Sequence, residues 1–571
     1  MTELMQTEQI KICGQVLPEL RPPDAVMKLS RLGSFFPHRL SFMRSFIRRV
    51  AAEDAVMSIA VHALDHHGHG HVVLSLPVGG QVFSLIAFSR PLDDADRTDR
   101  VIATKWDASF CLFEGLPDVD DIEYLADQVT RQEAGVYHDK VLTLSRANKS
   151  LRLFAHVVDR LAAGVQPDSD QLTATGYLMR TTAVYGNGKF GIADRDRLAG
   201  YAGLTGPFQA EMLTVFLIRE FTLLLAEHCA EVKGGSTAAR LTTPIRRYIG
   251  VGNSTGLGMA PFLVNHPCLI HSWIMAREVA LATVRNLKTA TPAQLSRFSE
   301  LIDRAAVHIS QWVVQDTEQM TRIKLLRKEL TQQIKRLHDQ PLAAKNPFAD
   351  AFDRVKSCSE EMQELMVSLL IELIPEQIDG MADCMANPFT PQLYPSMRLF
   401  ELSKLVDTHY LWTKDVDLSA PSAQAHFWYV SEEKLEPRMG NRYDEEGAER
   451  EMPFNIPAYV SELCRALEAA DEELTVAEFL MQYPELRHIV RRVQTIARYP
   501  YGEIRDNLVD EKCRPIDLLR CKLSFFGASK FDPKSDRWTR ITLYQGAPTA
   551  ADLNHPEKAE LDDWLFALHP A

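Results

Sequence analysis

The sequence predicts a mainly α protein: a multi-helix body with a small β-containing (α+β) module from the N-terminal region, to which the C-terminal tail is a candidate contributor. Three observations carry this. Apolar residues recur at three-to-four spacing over most of residues 120 to 500. "HVVLSLPVGGQVFSLIAFS" holds two β-rich runs split by Pro77-Val78-Gly79-Gly80, the grammar of a hairpin. "RWTRITLY" near the C-terminus is strand-like.

Composition narrows the class. The 571 residues are 46% apolar and 24% charged, which is globular composition with ample material for a core. The net charge of −13 argues against nucleic acid as a partner, because phosphate binding needs a concentrated basic face. Nine widely spaced cysteines include no C-x-x-C pair, which suits reduced thiols. "MTELMQTEQIKICGQ" is too polar for a signal peptide. The most apolar run, "MLTVFLIREFTLLLAEHC", is broken by Arg219 and Glu220 and reads as a buried helix, not a membrane span. The expectation is a cytoplasmic protein that engages no membrane.

Along the chain, residues 25 to 55 read as helical. A small β region follows over roughly 55 to 115, with "ASFCLFEG" as a third strand. "DVDDIEYLADQVTRQEAG" opens with acids suited to a helix N-terminus. "SLRLFAHVVDRLAAG" ends on a C-capping glycine. Residues 207 to 231 and 267 to 288 read as apolar helices, the second with Pro267 at its first position. From 292 to 338, Phe298, Ile302, Ile309, Ile323, Leu326 and Leu330 keep a helical period. A continuous helix there would reach roughly 70 Å, either within the body or as the interface of a homo-oligomer. Residues 412 to 455 are irregular and charged, a lid or packing arm. These readings divide the chain into an α+β region (1–118), a helical core (119–411), the irregular arm (412–455) and a helical C-terminal region with a strand-like tail (456–571).

Two polar, glycine-rich stretches are the candidate site. In "GVGNSTGLGMAPFLVNHP", Asn253, Ser254, Thr255 and Asn265 add polar side chains to a backbone able to approach an anion. In "YLMRTTAVYGNGKFGIADR", Arg180 and Lys189 offer cations beside Tyr185 and Asn187. The helix after the first stretch carries His266, His271, Arg277 and Glu278. His266 and His271 suit proton transfer near neutral pH, Lys189 and Glu278 are further acid/base candidates, and Arg277 is an anion ligand or an ion-pair partner of Glu278. Clustered imidazoles at His62, His66, His67, His69 and His71 raise a metal-binding alternative, although they sit on a short loop without helical spacing.

Gly252-Asn253-Ser254, Met259-Ala260-Pro261 and Asn265-His266-Pro267 locally resemble, in order, the mobile loop of the fumarase/aspartase superfamily. The spacing is longer here, no lysine stands between Pro261 and Asn265, and the likeness covers under twenty residues. It implies a lyase loop at most. No dinucleotide fingerprint, phosphate loop, G-x-S-x-G elbow, kinase set or EF-hand is present. The sequence therefore points to a metabolic enzyme of lyase or hydrolase type. Its substrate would be a small carboxylate- or phosphate-bearing molecule, with no cofactor called for. A non-catalytic helical scaffold using 292–338 is the contrasting reading.

Overall fold

The computed structural model describes residues 19–53, 55–96, 105–131, 138–186, 198, 200–206, 208–256, 266–386, 392–419, 456–505, 515–535, 538–553 and 562–570. The fold class departs from the sequence expectation. Helix predominates among the described residues, but their centre is a nine-stranded mixed sheet, so the protein is α/β and not mainly α with a small β module. The strands are β1 (Ser58–Leu64), β2 (Gly70–Val78), β3 (Gln81–Ser89), β4 (Ala108–Glu114), β5 (Val141–Lys149), β6 (Tyr177–Gly186), β7 (Gly250–Gly256), β8 (Lys530–Ser535) and β9 (Trp538–Leu543). Their order is β1-β2-β3-β4-β5-β6-β7-β9-β8.

The expected hairpin forms across Gly79 and Gly80, whose φ of 61° and 78° only glycine adopts without strain. The meander then continues beyond residue 115 through β5 and β6, a region where the helical period had predicted only helices. The strand-like tail joins the same sheet, but as β9 it pairs with β7 and β8, not with the N-terminal strands.

Helix α1 (Gln209–Gly234) lies against β2 through β7. It is apolar on nearly every side, as a helix between a sheet and a helical layer must be. Strand alternation divides the cores. Val72, Leu74 and Leu76 of β2 face the main core, whereas Val73 faces the other side with Ile122 and Leu125 of helix Val119–Arg131. Arg219 of α1 is fully buried and donates to the carbonyls of Arg246, Arg247, Ile249, Ala547 and Pro548. It ties the approach to β7 to the segment after β9. Its neighbour Glu220 is also buried, with its carboxyl pushed up chiefly by loss of solvent.

Beyond the sheet, α2 (Pro267–Arg285), α3 (Pro292–Ser310), α4 (Thr317–Asp339) and α5 (Glu360–Ile371) form the helical layer. The expected continuous helix over 292–338 is two helices. Asp316 ends the idea of one rod by capping the second, its carboxylate accepting from the Gln319 N–H at 2.9 Å. The periodic residues Phe298, Ile302, Ile309, Ile323, Leu326 and Leu330 all pack into the chain's own core. A separate small core joins helices Leu399–His409, Ile456–Ala469, Val476–Gln482 and Arg487–Arg498 through Leu402, Leu463, Phe479 and Val490. Residues 420–455, the core of the expected lid or arm, lie outside the described residues. Among the described residues no helix is long and apolar enough to cross a membrane.

Candidate functional site

The described parts of the two glycine-rich stretches, 177–186 and 250–256, are not helix corners but adjacent strands. β6 leads into α1, α1 crosses the sheet, and the chain returns as β7 parallel to β6, giving a β-α-β unit. The register sets Arg180 opposite Gly252 and Thr181 opposite Asn253. This is the sheet's one parallel pair among the described strands. Pairing starts where the Gly250 N–H donates to the Gly176 carbonyl at 3.0 Å.

The glycines of β7 answer to close packing. A Cβ on Gly250 would meet the Leu543 carbonyl oxygen at 2.3 Å, and one on Gly252 would meet the Tyr177 ring at 2.6 Å. The Asn253 amide reaches across to Thr181, donating to its Oγ1 at 3.1 Å and its carbonyl at 3.4 Å. Ser254 is buried, and its Oγ has no hydrogen-bond partner. Thr255 continues β7 opposite Thr539, and Tyr185 continues β6 opposite Leu144. Because the two strands run the same way, Gly186 and Gly256 leave the sheet on one edge. Asn187, Lys189 and Asn265, expected near those exits, lie outside the described residues.

His266 precedes α2, where its carbonyl accepts from the Ile270 N–H at 3.1 Å. One turn on, His271 is buried. Its Nδ1 accepts the Tyr501 N–H at 3.1 Å, and its ring packs against those of Tyr499 and Tyr501. Loss of solvent lowers its pKa to about 4, so at neutral pH it is an uncharged acceptor.

Arg277 and Glu278 lie eleven and twelve residues beyond His266, about 16 to 18 Å along the helix. They belong to a buried charge network with residues far away in sequence. Glu278 binds Arg21 through two contacts of 2.7 Å and accepts from Arg277 at 3.0 Å. Glu364 of α5 accepts from Arg21 and Arg31 at 2.7 Å and from Arg277 at 2.5 Å. The Arg277 guanidinium rests on the Phe35 ring, 3.7 Å from its centroid. The surrounding guanidiniums hold the Glu364 carboxyl far below the usual carboxylate range despite its burial. Tyr501 joins the same assembly, its hydroxyl donating to the Arg21 carbonyl at 2.6 Å.

The described candidate residues therefore fall into two groups, one at the β6–β7 pair and one on α2 in the helical layer. Comparison with family models, with curated proteins and with solved structures finds no match. Geometry alone carries the functional argument. Sequence reading missed Arg21, Arg31, Glu364 and Tyr501. Nothing local marks them, since Arg21 and Glu364 stand 343 residues apart.

The histidine loop has an ordinary turn chemistry. The Asp65 carboxylate accepts the N–H groups of His67 and His69 at 2.8 and 2.9 Å, and those amides hold its pKa below the usual carboxylate value. His62 on β1 packs against His228 of α1, ring centroids 5.2 Å apart. Among the described residues, no three metal-capable side chains converge on a common point.

Proposed function

We propose that this chain binds and transforms a small anionic molecule at the sheet edge where β6 and β7 end. The parallel pairing of those strands supports this most, because it sets 177–186 and 250–256, which open the two polar, glycine-rich stretches, side by side and running the same way. In open sheets, ligands settle outside the carboxyl ends of parallel strands. The unpartnered Ser254 hydroxyl, buried in the strand that leads there, supports the same locus. In this reading Lys189 attracts the carboxylate or phosphate and Asn187 and Thr255 orient it, with Arg180 adding positive charge from further back along β6 and Asn253 and Ser254 building the approach along β7. His266, at the mouth of α2, moves the proton in acid/base chemistry of lyase or hydrolase type. His271 supports the neighbouring backbone as a neutral acceptor, and Arg277 and Glu278 brace the helix from within. The free thiols of Cys111, Cys229, Cys268, Cys358, Cys464 and Cys521 favour a reducing compartment, the cytoplasm.

The test is a thermal-shift screen against mono-, di- and tricarboxylates and phosphate esters. A ligand at about 100 times its Kd stabilises by about 2.7 kcal/mol, a clear rise in melting temperature. A panel in which no anion raises the melting temperature of the wild-type chain removes the reading.

A further inference from the structure

A second locus rich in cations lies at the far end of α2. A cavity of about 640 Å³ opens there, within the range of small-molecule sites. Arg21, Arg31, Arg285, Lys288 and Lys356 line it, against Glu19 as the single acid. Every lining residue lies within the described structure.

The five cations are not equivalent. Arg21 is bound by Glu278 and Glu364, and Arg31 by Glu364 and Glu360. Lys356 meets Asp353 at 2.8 Å. Arg285 and Lys288 have no carboxylate partner among the described residues. Arg285 lies over the Phe352 ring, 4.6 Å from its centroid, and its Nε is buried with nothing to donate to. A half-buried guanidinium without a counter-ion gives up hydration and gains little in return.

Asn346 completes the wall beside Lys288, its backbone N–H donating to the Lys288 carbonyl at 2.9 Å. It holds a left-handed backbone, φ 53°, which costs energy for any residue but glycine. Its amide Oδ1 is buried with no hydrogen-bond partner. The cavity thus presents two uncompensated cations and one idle acceptor. The fixed carboxylates behind Arg21 and Arg31 hold those two guanidiniums in place as further donors.

We infer that this cavity binds a phosphate monoester that also carries a hydroxyl group. A phosphate monoester bears a charge of about −1.5 to −2 at pH 7, which matches two free cations where a carboxylate would match one. Arg285 supplies a fork of donors to the phosphoryl oxygens and Lys288 a point charge. The ligand's hydroxyl donates to Asn346. This locus lies about 28 Å along α2 from His266, so it is independent of the β6–β7 edge.

Isothermal titration of the full chain with glycerol 3-phosphate, ribose 5-phosphate and inorganic phosphate tests it. At least one ester should bind saturably with a Kd below about 1 mM, more tightly than inorganic phosphate. Lys288→Gln changes an exposed, unpaired side chain, so the fold stays intact, and Arg285→Gln keeps the stem over Phe352. Each should weaken ester binding about tenfold or more, the loss of one charge-assisted contact. Asn346→Gly, which keeps the left-handed turn, should weaken the ester and leave inorganic phosphate unchanged. Absence of saturable binding by either ester, ester binding no tighter than that of inorganic phosphate, or binding indifferent to both Lys288→Gln and Arg285→Gln would overturn the inference.

Discussion

Arg180 of β6 and Gly252 of β7 lie opposite one another in the parallel pair, and the Tyr177 ring fills the space a side chain at 252 would take. The β6–β7 pair thus depends on a residue defined by what it lacks. Strand glycine is costly in isolation, and here it is the condition for β7 to approach β6.

Gly252→Ala should therefore destabilise the chain by about 1 to 3 kcal/mol, the usual cost of overpacking a tight core. Urea denaturation measures this. Tyr177→Leu in the same chain should recover part of the loss, because it removes the ring that the new methyl strikes. A Gly252→Ala chain as stable as wild type would mean that the strands have room to separate.

His271 gives the protein a signed pH dependence. Its folded pKa of about 4 lies below the unfolded value of about 6.5, so the folded state resists protonation. Its contribution is complete above about pH 6.5 and is lost as pH falls towards 4. The full span is about 3 kcal/mol. Stability against urea at pH 7 and pH 4.5 should fall more steeply in wild type than in His271→Asn, which cannot titrate. Parallel slopes would remove this histidine from the account.

Glu364→Gln leaves Arg21, Arg31 and Arg277 sharing less negative charge in a buried setting. The expected cost is about 3 to 5 kcal/mol, because a buried ion network is far more sensitive to loss of one partner than it is valuable as a whole. Denaturation midpoints of wild type and variant decide it, and a change under about 1 kcal/mol would place the network effectively in solvent.

Arg219→Met should be among the most disruptive single changes. It takes the donor from the Ile249, Ala547 and Pro548 carbonyls in buried contacts and from the part-buried Arg246 carbonyl, while the Arg247 carbonyl keeps the Gly546 N–H, each unmet buried acceptor costing about 1 to 3 kcal/mol unless water enters. A loss above about 4 kcal/mol is expected. Hydrogen exchange should show faster opening of both 246–256 and 538–548, because Arg219 joins the two segments.

What the sequence made legible follows physical range. The β2–β3 hairpin was readable because its turn needs Gly79-Gly80, and α2 because Pro267 and an apolar run mark it. β7 was not readable. "GVGNSTG" has the composition of a loop, and only the carbonyl of Leu543 and the ring of Tyr177 explain its glycines. β5 and β6 were lost to a helical period set by the segments around them. The 292–338 seam was correct in its buried face and wrong in its continuity, which Asp316 decides by capping. For the site, the meeting of the two polar stretches was a spatial question that sequence could only pose. The bracing of Glu278 by Arg21 was out of reach, since 257 residues separate them.

The most direct test of the central claim is a dissociation constant for the tightest-binding carboxylate of the thermal-shift panel, measured by titration on wild type, Lys189→Ala and Lys288→Gln. If the β6–β7 edge is the substrate site, Lys189→Ala weakens that ligand about tenfold or more, and Lys288→Gln leaves it unchanged. If Lys189→Ala binds it as tightly as wild type, the assignment of the anion to the end of β6 and β7 is wrong.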